Sequence, residues 1–294
     1  MRITFLQKSF RLLKRSLCCS ILIPSLLIAN GIEDAKTYHS NSTLQWHVAM
    51  DAIDSVTWKG TESVLDVGCG DGKITALLAQ KLSVGSVLGI DISQSMIDFA
   101  SLHYPQIDYP NLNFQKLDAA GIFFENQFDR VVSFSTLHWV MDQEKALKAI
   151  YRALVPGGAA CIQTYGTGLM NVTVIGDSLI HTKKWAQYFP SYTKQRVFFT
   201  DMEYHTLLES AGFQQVSVIG SWYDTPFADR HALINFAKPL LNFIRHLPAE
   251  LQQEFAEEVV DKIISIAGVS DDGIIHYKTF NIQAFGIKCD SPSR

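Results

Sequence analysis

The stretch LDVGCGDGKIT, residues 65–75, carries glycine at positions 68, 70 and 72 between an apolar run and an amphipathic one. Glycine in a strand-to-helix turn lets the backbone approach a ligand closely, although glycines also form tight turns that bind nothing. The spacing Gly68-x-Gly70-x-Gly72 differs from the G-x-G-x-x-G turn of dinucleotide-binding proteins, and no Gly-Lys-Ser/Thr triplet follows as in a P-loop. A pyrophosphate cofactor is therefore disfavoured.

The segments around this turn alternate between short apolar runs and longer helical patterns, which is typical of a parallel sheet covered by helices on both faces. Apolar patterning predicts strands at 63–68, 86–91, 112–118, 128–134, 159–165, 213–227 and 274–288. Helices are predicted at 72–82, 229–246 and 248–267, and another begins at Ser93. A further helix runs from Asp142 through Leu154 and is ended by Pro156-Gly157-Gly158. The last begins at the Thr200/Glu203 capping box and ends at Gly212. We therefore expect a doubly wound α/β fold with a mostly parallel seven-stranded sheet.

Composition limits the classes of partner. The chain has 294 residues, of which 47% are hydrophobic and 18% charged, and this suits a globular protein with a full core. Its net charge of −4 provides no basic surface for a phosphate backbone, which argues against a nucleic-acid partner. The five cysteines form no pattern typical of a zinc site, so we expect reduced thiols and no metal.

Residues 1–36 differ from the rest of the chain, because basic residues there precede an apolar stretch at 17–29. Ala29 and Gly31 have the spacing of a signal-peptidase site, and the stretch is short for a transmembrane helix. The open alternatives are an export signal, a basic anchor that contacts a membrane surface through residues 1–30, and a start placed too far upstream.

Acids stand in register with the first three predicted strands: Asp66 in the first, Asp91 at the end of the second and Asp118 at the end of the third. Taken singly, Gly68 and Gly70 are explained by a turn, Asp91 by a helix cap and Asp118 by a solvated strand end. Together with the sequence DVGCGDG at 66–72, and with the Pro-Gly-Gly turn before the fifth strand, they resemble the class I S-adenosylmethionine-dependent methyltransferases from about Tyr38 onward. The resemblance implies a Rossmann-like methyltransferase fold and S-adenosylmethionine as cofactor.

The same resemblance implies how the cofactor is held. Gly68 and Gly70 would lie against its methionyl part, Asp91 would bind both ribose hydroxyls, and Asp118 would bind the adenine amino group. A carboxylate suits a diol independently of the family, since its two oxygens accept strong, charge-assisted hydrogen bonds. Asp66 is expected near the amino group of the methionine moiety. The implied set is completed by Ile92, Met96, Ala119 and Ser133.

The segment after the fourth strand indicates the class of methyl acceptor. It is SFSTLHWV (133–140) rather than the N-P-P-Y-like tetrapeptide of base-modifying enzymes. This segment and LVPGG (154–158) are similar to the branch containing trans-aconitate, juvenile hormone acid and malonyl-carrier-protein methyltransferases. The resemblance implies a small-molecule or acyl-carrier-bound carboxylate substrate. It also implies a catalytic domain at 37–294, with helical substrate-capping insertions at 166–200 and 228–270.

Transfer to a carboxylate would be an in-line displacement without metal or general base, because a carboxyl group with a pKa near ~4 is already ionised. Gln45, His138 and Trp139, with Tyr38, are candidates for orienting the acceptor, since amide, imidazole and indole nitrogens can donate hydrogen bonds to it. The cations in the first insertion, which are Lys183, Lys184 and Arg196, are interpreted either as partners of a second acid group or, preferably, as an exposed charged face.

Other functions remain open from the sequence. C- or N-methylation of a small metabolite uses the same fold, and a nicotinamide-dependent oxidoreductase would use the same sheet and ribose-binding acid. A non-catalytic cofactor-binding protein is a third alternative. Because an exported form would lack a supply of this cofactor, we favour a cytoplasmic location over membrane association or export.

Overall fold

The structure is a computed structural model and describes residues 35–168 and 171–289. Within these residues, seven strands form one sheet with the order β3-β2-β1-β4-β5-β7-β6. Neighbouring strands from β3 to β5 are parallel, whereas β7 is antiparallel to both β5 and β6. The strands are β1 Ser63–Val67, β2 Ser86–Asp91, β3 Leu112–Lys116, β4 Phe128–Phe134, β5 Leu154–Tyr165, β6 Gln214–Phe227 and β7 Ile275–Ile287. The predicted doubly wound, mostly parallel sheet is confirmed.

The helices pack on both faces of this sheet and beyond its edge. α5 and α7 cover one face, while α2 and α3 cover the other. The capping box at Thr200 and the end of its helix at Gly212 are present as predicted. The helices are α1 Ala35–Asn41, α2 Thr43–Asp54, α3 Lys73–Lys81, α4 Gln94–His103, α5 Gln143–Ala153, α6 Val172–Ile180, α7 Asp201–Ala211, α8 Arg230–Ala237 and α9 Ala249–Ala267.

Two predicted helices end earlier than expected. Leu154 is the first residue of β5 instead of lying on a helix. The Pro-Gly-Gly segment forms a bulge inside that strand, because Leu154 pairs with Phe128 of β4 and Ala159 pairs with Arg130. The helix predicted at 229–246 ends at Ala237 and continues only as short 3₁₀ turns. The reason is Pro239, which lacks an N–H and clashes with the carbonyl of the preceding turn.

A two-stranded extension carries a second core. β5 pairs with β7 only as far as Tyr165 opposite Asn281, but the β6–β7 ladder continues to Phe227 opposite Ile275. The extension therefore overhangs the carboxyl ends of the parallel strands. α6, α8 and α9 pack against it in a separate apolar cluster that includes Trp185 and Phe255. We call this helical layer the cap, and it confirms the predicted helical capping region.

Little of the predicted N-terminal segment can be described. Apart from residues 35 and 36, the segment 1–36 lies outside the described residues, and so do its predicted membrane contact and cleavage site. Across 35–168 and 171–289, each helix is too short or too polar to cross a bilayer.

Candidate active site

The three glycines of the first turn all adopt left-handed backbone conformations, with φ of +78° at Gly68, +54° at Gly70 and +80° at Gly72. A Cβ at Gly68 would overlap the Thr136 side chain, and one at Gly72 would lie 2.7 Å from the Ala100 Cβ. At Gly70 the nearest atom would be Tyr38 Cε1, 3.6 Å away. Packing therefore requires glycine at 68 and 72, while Gly70 is the open position over which a ligand can lie.

Asp91 ties the end of β2 to this turn. Its Oδ2 accepts the Gly70 N–H at 3.0 Å, and its Oδ1 accepts the Ser93 N–H at 2.8 Å. Burial raises the pKa of Asp91, and these backbone hydrogen bonds oppose the rise. The backbone thus orients the carboxylate at the cavity wall, where its remaining lone pairs can accept hydroxyl groups.

Asp66 is buried at the end of β1, where its Oδ2 accepts the Thr75 hydroxyl at 2.7 Å. Burial raises the pKa of Asp66 to about 7. A cation beside this carboxylate would favour its ionised form and lower that pKa. Asp66 lines a small cavity together with Gly68, Gly70, Tyr38 and other residues of the turn and α2.

The largest cavity beside the turn has a volume of about 390 Å³ and runs along the carboxyl ends of β1 to β4. Its size and position fit the ligand site expected of an open α/β sheet. Predicted cofactor residues line it, namely Gly68, Asp91, Ile92, Asp118 and Ala119. Asp118 lies two residues beyond β3 and accepts the Ala120 N–H at 3.0 Å.

Sequence reasoning missed Asn242, which also lines this cavity and comes from the cap. Its Oδ1 is buried without a hydrogen-bond partner among the described residues, which suits a ligand donor. No local pattern marks Asn242 in the sequence, because 124 positions separate it from Asp118.

Two predicted cofactor residues are placed behind the cavity wall. Ser133 is fully buried in β4, and its hydroxyl donates to the Val67 carbonyl at 2.8 Å. Met96 is 3% exposed in α4, and its N–H donates to the Ser93 hydroxyl at 3.4 Å. Neither residue is among the described residues that line the cavities. Both support the wall in this structure.

A third cavity, with a volume of about 60 Å³, lies between the turn and the cap, and we call it the chamber. It brings together all four predicted acceptor-orienting residues. Tyr38 and Gln45 are shared with the small cavity at the glycine turn, and Trp139 is shared with the large cavity. The remaining lining residues are Ser135, Tyr165, Asn171, Thr173, Arg196, Phe198, Phe236, Leu240, Tyr277 and Thr279.

Polar groups in the chamber are buried and incompletely paired. Gln45 Oε1 has no hydrogen-bond partner among the described residues. His138 is 6% exposed, its ring stacks on Phe198, and its Nδ1 lies 3.4 Å from the Thr164 hydroxyl. Burial, with a smaller effect of Arg196, holds the pKa of His138 well below its usual value. The imidazole is therefore neutral at neutral pH.

The interpretation of all three insertion cations as an exposed face is wrong for Arg196. Lys183 and Lys184 are exposed, and Lys184 pairs with Glu254 at 2.6 Å and also with Glu258. Arg196 is 4% exposed and lines the chamber. A lone arginine in an irregular segment has no periodicity that could have revealed its burial.

Among 35–168 and 171–289, no three His, Cys, Asp or Glu side chains are grouped to hold a metal ion.

Comparison with known proteins matches residues 65–162 to a family described as a methyltransferase domain. Juvenile hormone acid O-methyltransferase of Bombyx mori is 26% identical over 79% of this chain and 86% of its own length. Trans-aconitate 2-methyltransferase of Delftia acidovorans is 28% identical over 76% and 87%. A malonyl-[acyl-carrier protein] O-methyltransferase of Priestia megaterium is 26% identical over 60% and 64%.

Solved structures share the fold. The YcgJ protein of Bacillus subtilis superposes with a TM-score of 0.60 at 17% identity, covering 84% of this chain and 100% of that one. Phosphoethanolamine N-methyltransferase 2 of Haemonchus contortus, in complex with S-adenosyl-L-methionine, gives 0.59 at 19% identity, covering 89% and 58%. Residues 65–162, which match the methyltransferase domain, also build the glycine turn and most of the wall of the large cavity. The protein is therefore an S-adenosylmethionine-dependent methyltransferase with a Rossmann-like methyltransferase fold.

Proposed function

We propose that the protein methylates a carboxylate oxygen of a small acid held in the chamber. S-adenosylmethionine supplies an electrophilic methyl group bonded to a sulfonium. The carboxylate oxygen would attack that methyl carbon in line with the departing sulfur, without a metal or a general base.

The observation that carries the proposal is the lack of a competent base around the acceptor. None of the described chamber-lining residues is Asp or Glu, and the only imidazole there has a pKa held well below its usual value by burial. Burial raises the pKa of the Tyr165 phenol to about 12 and raises those of Tyr38 and Tyr277 further. An alcohol or ammonium acceptor would need deprotonation, whereas a carboxylate is already ionised.

Gln45 and Trp139 would hold the reacting carboxylate, since each can donate a hydrogen bond from its side-chain nitrogen. Their position supports this role, because each lines both the chamber and a donor-side cavity. Fixing oxygen, methyl carbon and sulfur in a reactive geometry can contribute about 7–11 kcal/mol of barrier reduction. The enclosed chamber would also keep water from the reacting atoms.

On the donor side, Gly70 would face the methionyl part and Asp66 its amino group. Asp91 would bind the ribose hydroxyls and Asp118 the adenine amino group, with Ile92 and Ala119 alongside. Met96 and Ser133 would support this wall from behind. We further propose a cytoplasmic location, where this donor is supplied. An acyl-carrier-bound acid is the alternative acceptor, because one of the relatives carries that name.

The test incubates the full-length protein with methyl-labelled donor and panels of small acids, malonyl-carrier protein and small amines. We expect label in products that release methanol on mild alkaline treatment, as esters do and N- or C-methyl products do not. Gln45→Leu should lower kcat/KM for the acid by about 100-fold or more, by analogy with loss of a transition-state hydrogen-bond donor. Gln80→Leu, on the exposed face of α3, is the matched control. Alkali-stable label would contradict the proposal.

A further inference from the structure

The chamber contains a buried cation, Arg196, that forms no ion pair with a carboxylate of the described residues. The Arg196 Nη2 donates to the Leu240 carbonyl at 2.9 Å, and its Cζ lies 3.5 Å from the centre of the Trp139 ring. Its Nε is buried without a hydrogen-bond partner in the described residues. The guanidinium therefore has a free donor inside the chamber wall.

No described carboxylate lies within ion-pair distance of Arg196. Burial lowers the pKa of Arg196 to about 9, opposed by the charge of Asp177 and by the phenols of Tyr192 and Tyr277. The side chain is thus still a cation at neutral pH. Asp177 is engaged by the Tyr192 hydroxyl. Buried charges are normally paired, and an unpaired one is costly, so an anion is expected to enter beside Arg196.

We propose that the acceptor is a short dicarboxylate, whose second carboxylate binds Arg196 while the first is methylated beside Gln45 and Trp139. This rests on the function proposed above. A guanidinium matches a carboxylate with paired N–H donors, which makes this site a specificity determinant. The chamber volume of about 60 Å³ favours a short chain between the two acid groups.

Charge balance supports two acid groups over one. Before transfer, the sulfonium and Arg196 carry two positive charges, which a dicarboxylate neutralises. During transfer, a carboxylate lone pair forms the O–CH₃ bond, the S–CH₃ bond breaks, and its electron pair stays on sulfur, with no proton moved. The neutral thioether then leaves Arg196 paired with the remaining carboxylate of the half ester. A monocarboxylate would leave one uncompensated buried cation both before and after transfer.

The experiment compares dicarboxylates of three to six carbons, saturated and unsaturated, with their own monomethyl esters. Each ester keeps the carbon chain and removes one charge. The variants are Arg196→Gln and Arg196→Lys, and Lys184→Gln is the control, since this lysine lies on the exposed face of the same insertion. For the wild type we expect kcat/KM to be at least about tenfold higher for one dicarboxylate than for its half ester.

Arg196→Gln should lower kcat/KM for that dicarboxylate by about 10- to 100-fold, mainly through KM, and change the value for the half ester by less than about threefold. Arg196→Lys should recover part of the loss, because it keeps the charge but not the planar fork. Lys184→Gln should behave as wild type. Affinity for S-adenosylhomocysteine, measured by calorimetry, should be preserved in each variant, which shows that the variant is folded.

A measurement of dicarboxylate binding distinguishes failure of this inference from failure of the proposed function. In the presence of S-adenosylhomocysteine, the dicarboxylate should raise the melting temperature of the wild type and not that of Arg196→Gln. If this holds but no ester forms, the anion site stands and carboxyl methylation fails. If esters form but half esters serve as well as dicarboxylates, or Arg196→Gln loses activity on both alike, the inference is overturned. It is overturned equally if no dicarboxylate in the panel binds more tightly than its half ester.

Discussion

Gly68 and Gly70 lie two positions apart in the same turn, yet a side chain would meet different surroundings at each. Both require a left-handed backbone, which costs an L-residue about 1–2 kcal/mol. Only at Gly68 would a Cβ also overlap another side chain, that of Thr136. The first glycine therefore serves packing, and the second keeps the cavity open.

We expect Gly68→Ala to lower the free energy of unfolding by about 3 kcal/mol or more, since overlap adds to backbone strain. Gly70→Ala should cost only about 1–2 kcal/mol but weaken donor binding, because its methyl group would occupy the cavity. Urea unfolding and calorimetry with S-adenosylhomocysteine measure the two effects. Adding Thr136→Gly to the Gly68→Ala variant should recover part of the lost stability, because it removes the side chain that the new Cβ overlaps. Equal loss of stability in the two alanine variants would contradict this assignment.

Asp66 gives the donor-free protein a specific pH dependence. Its folded pKa of about 7 lies above the unfolded value of about 3.9, so the folded state holds the extra proton between these pH values. Stability should therefore fall as pH rises from about 4 to 7 and level off above 7, with a contribution of at most about 4 kcal/mol. Asp66→Asn should flatten this slope in urea unfolding at pH 5 and pH 8.

The control for Asp66 is Asp98→Asn, an exposed carboxylate on α4 that should leave the slope unchanged. Donor binding supplies a second measurement. If the donor's amino group lies beside Asp66, binding below pH 7 should release a proton, which calorimetry in buffers of different ionisation enthalpy detects. A wild-type slope in Asp66→Asn would show that other groups titrate instead.

Among whole elements, α1 closes the donor side of the site. The His39 Nδ1 lies 2.7 Å from Asp71 Oδ2 in the glycine turn, and its ring packs 5.3 Å from that of Phe99 on α4. This places the preceding Tyr38 over Gly70. A part-exposed pair of this kind contributes about 1 kcal/mol or less, so it can hold a short helix in place without governing global stability.

His39→Gln should accelerate hydrogen exchange of the 35–41 amides and weaken donor binding about three- to tenfold, while the unfolding free energy changes by less than about 1 kcal/mol. The weakening is expected because binding would then have to order α1. His47→Gln, exposed on α2, is the matched control. Unchanged exchange in α1 would show that packing on α4, rather than the His39–Asp71 hydrogen bond, holds the helix.

Elements whose signals are local were predictable from the sequence. The strands carry apolar runs, the capping box lies within four residues, and the glycine turn marks the cofactor side together with the acids that follow the next two strands. The bulge at Pro156 was not predictable, because its form depends on pairing with Arg130 of β4. Nor was the burial of Arg196, which depends on Trp139 and on the Leu240 carbonyl, both distant in sequence. Site residues that depend on contacts with the cap are therefore harder to predict from the sequence than those of the glycine turn.

At the scale of the molecule, two of the three apolar clusters among the described residues are associated with different parts of the proposed site. The cluster around α5 and α7 stabilises the sheet that holds the donor residues, while the cap cluster shapes the chamber. Phe255 lies at the centre of the cap cluster, with its ring 4.8 Å from that of Trp185 and 5.8 Å from that of Phe243. The cap should therefore open as a unit while the sheet stays folded.

Phe255→Ala removes a buried aromatic ring, a change that typically costs about 3–5 kcal/mol. We expect faster hydrogen exchange in α6 and α9 and unchanged exchange in β1 and β4. The value of kcat/KM for the acid should fall at least about tenfold. Donor affinity should fall by less, because Asn242 is the one described cap residue that lines the large cavity. Leu147→Ala, in the sheet core, is the comparison and should destabilise the protein globally. A loss of donor affinity as large as the loss of kcat/KM in Phe255→Ala would show that the two clusters do not act separately.

The overhanging β6–β7 ladder has an evolutionary consequence. Because Phe227 and Ile275 are paired neighbours, the 47 residues between them leave and rejoin the sheet at a single point. We call this segment the cassette. A replacement of another length would need only ends that pair with each other as Phe227 and Ile275 do. By contrast, one residue inserted into β7 between Thr279 and Asn281 would turn Tyr277 and Thr279 from the chamber to the opposite face, because β5 holds the rest of the strand. Under the proposed function, acceptor choice can thus diversify through the cassette while the donor-side residues at the ends of the parallel strands are inherited unchanged.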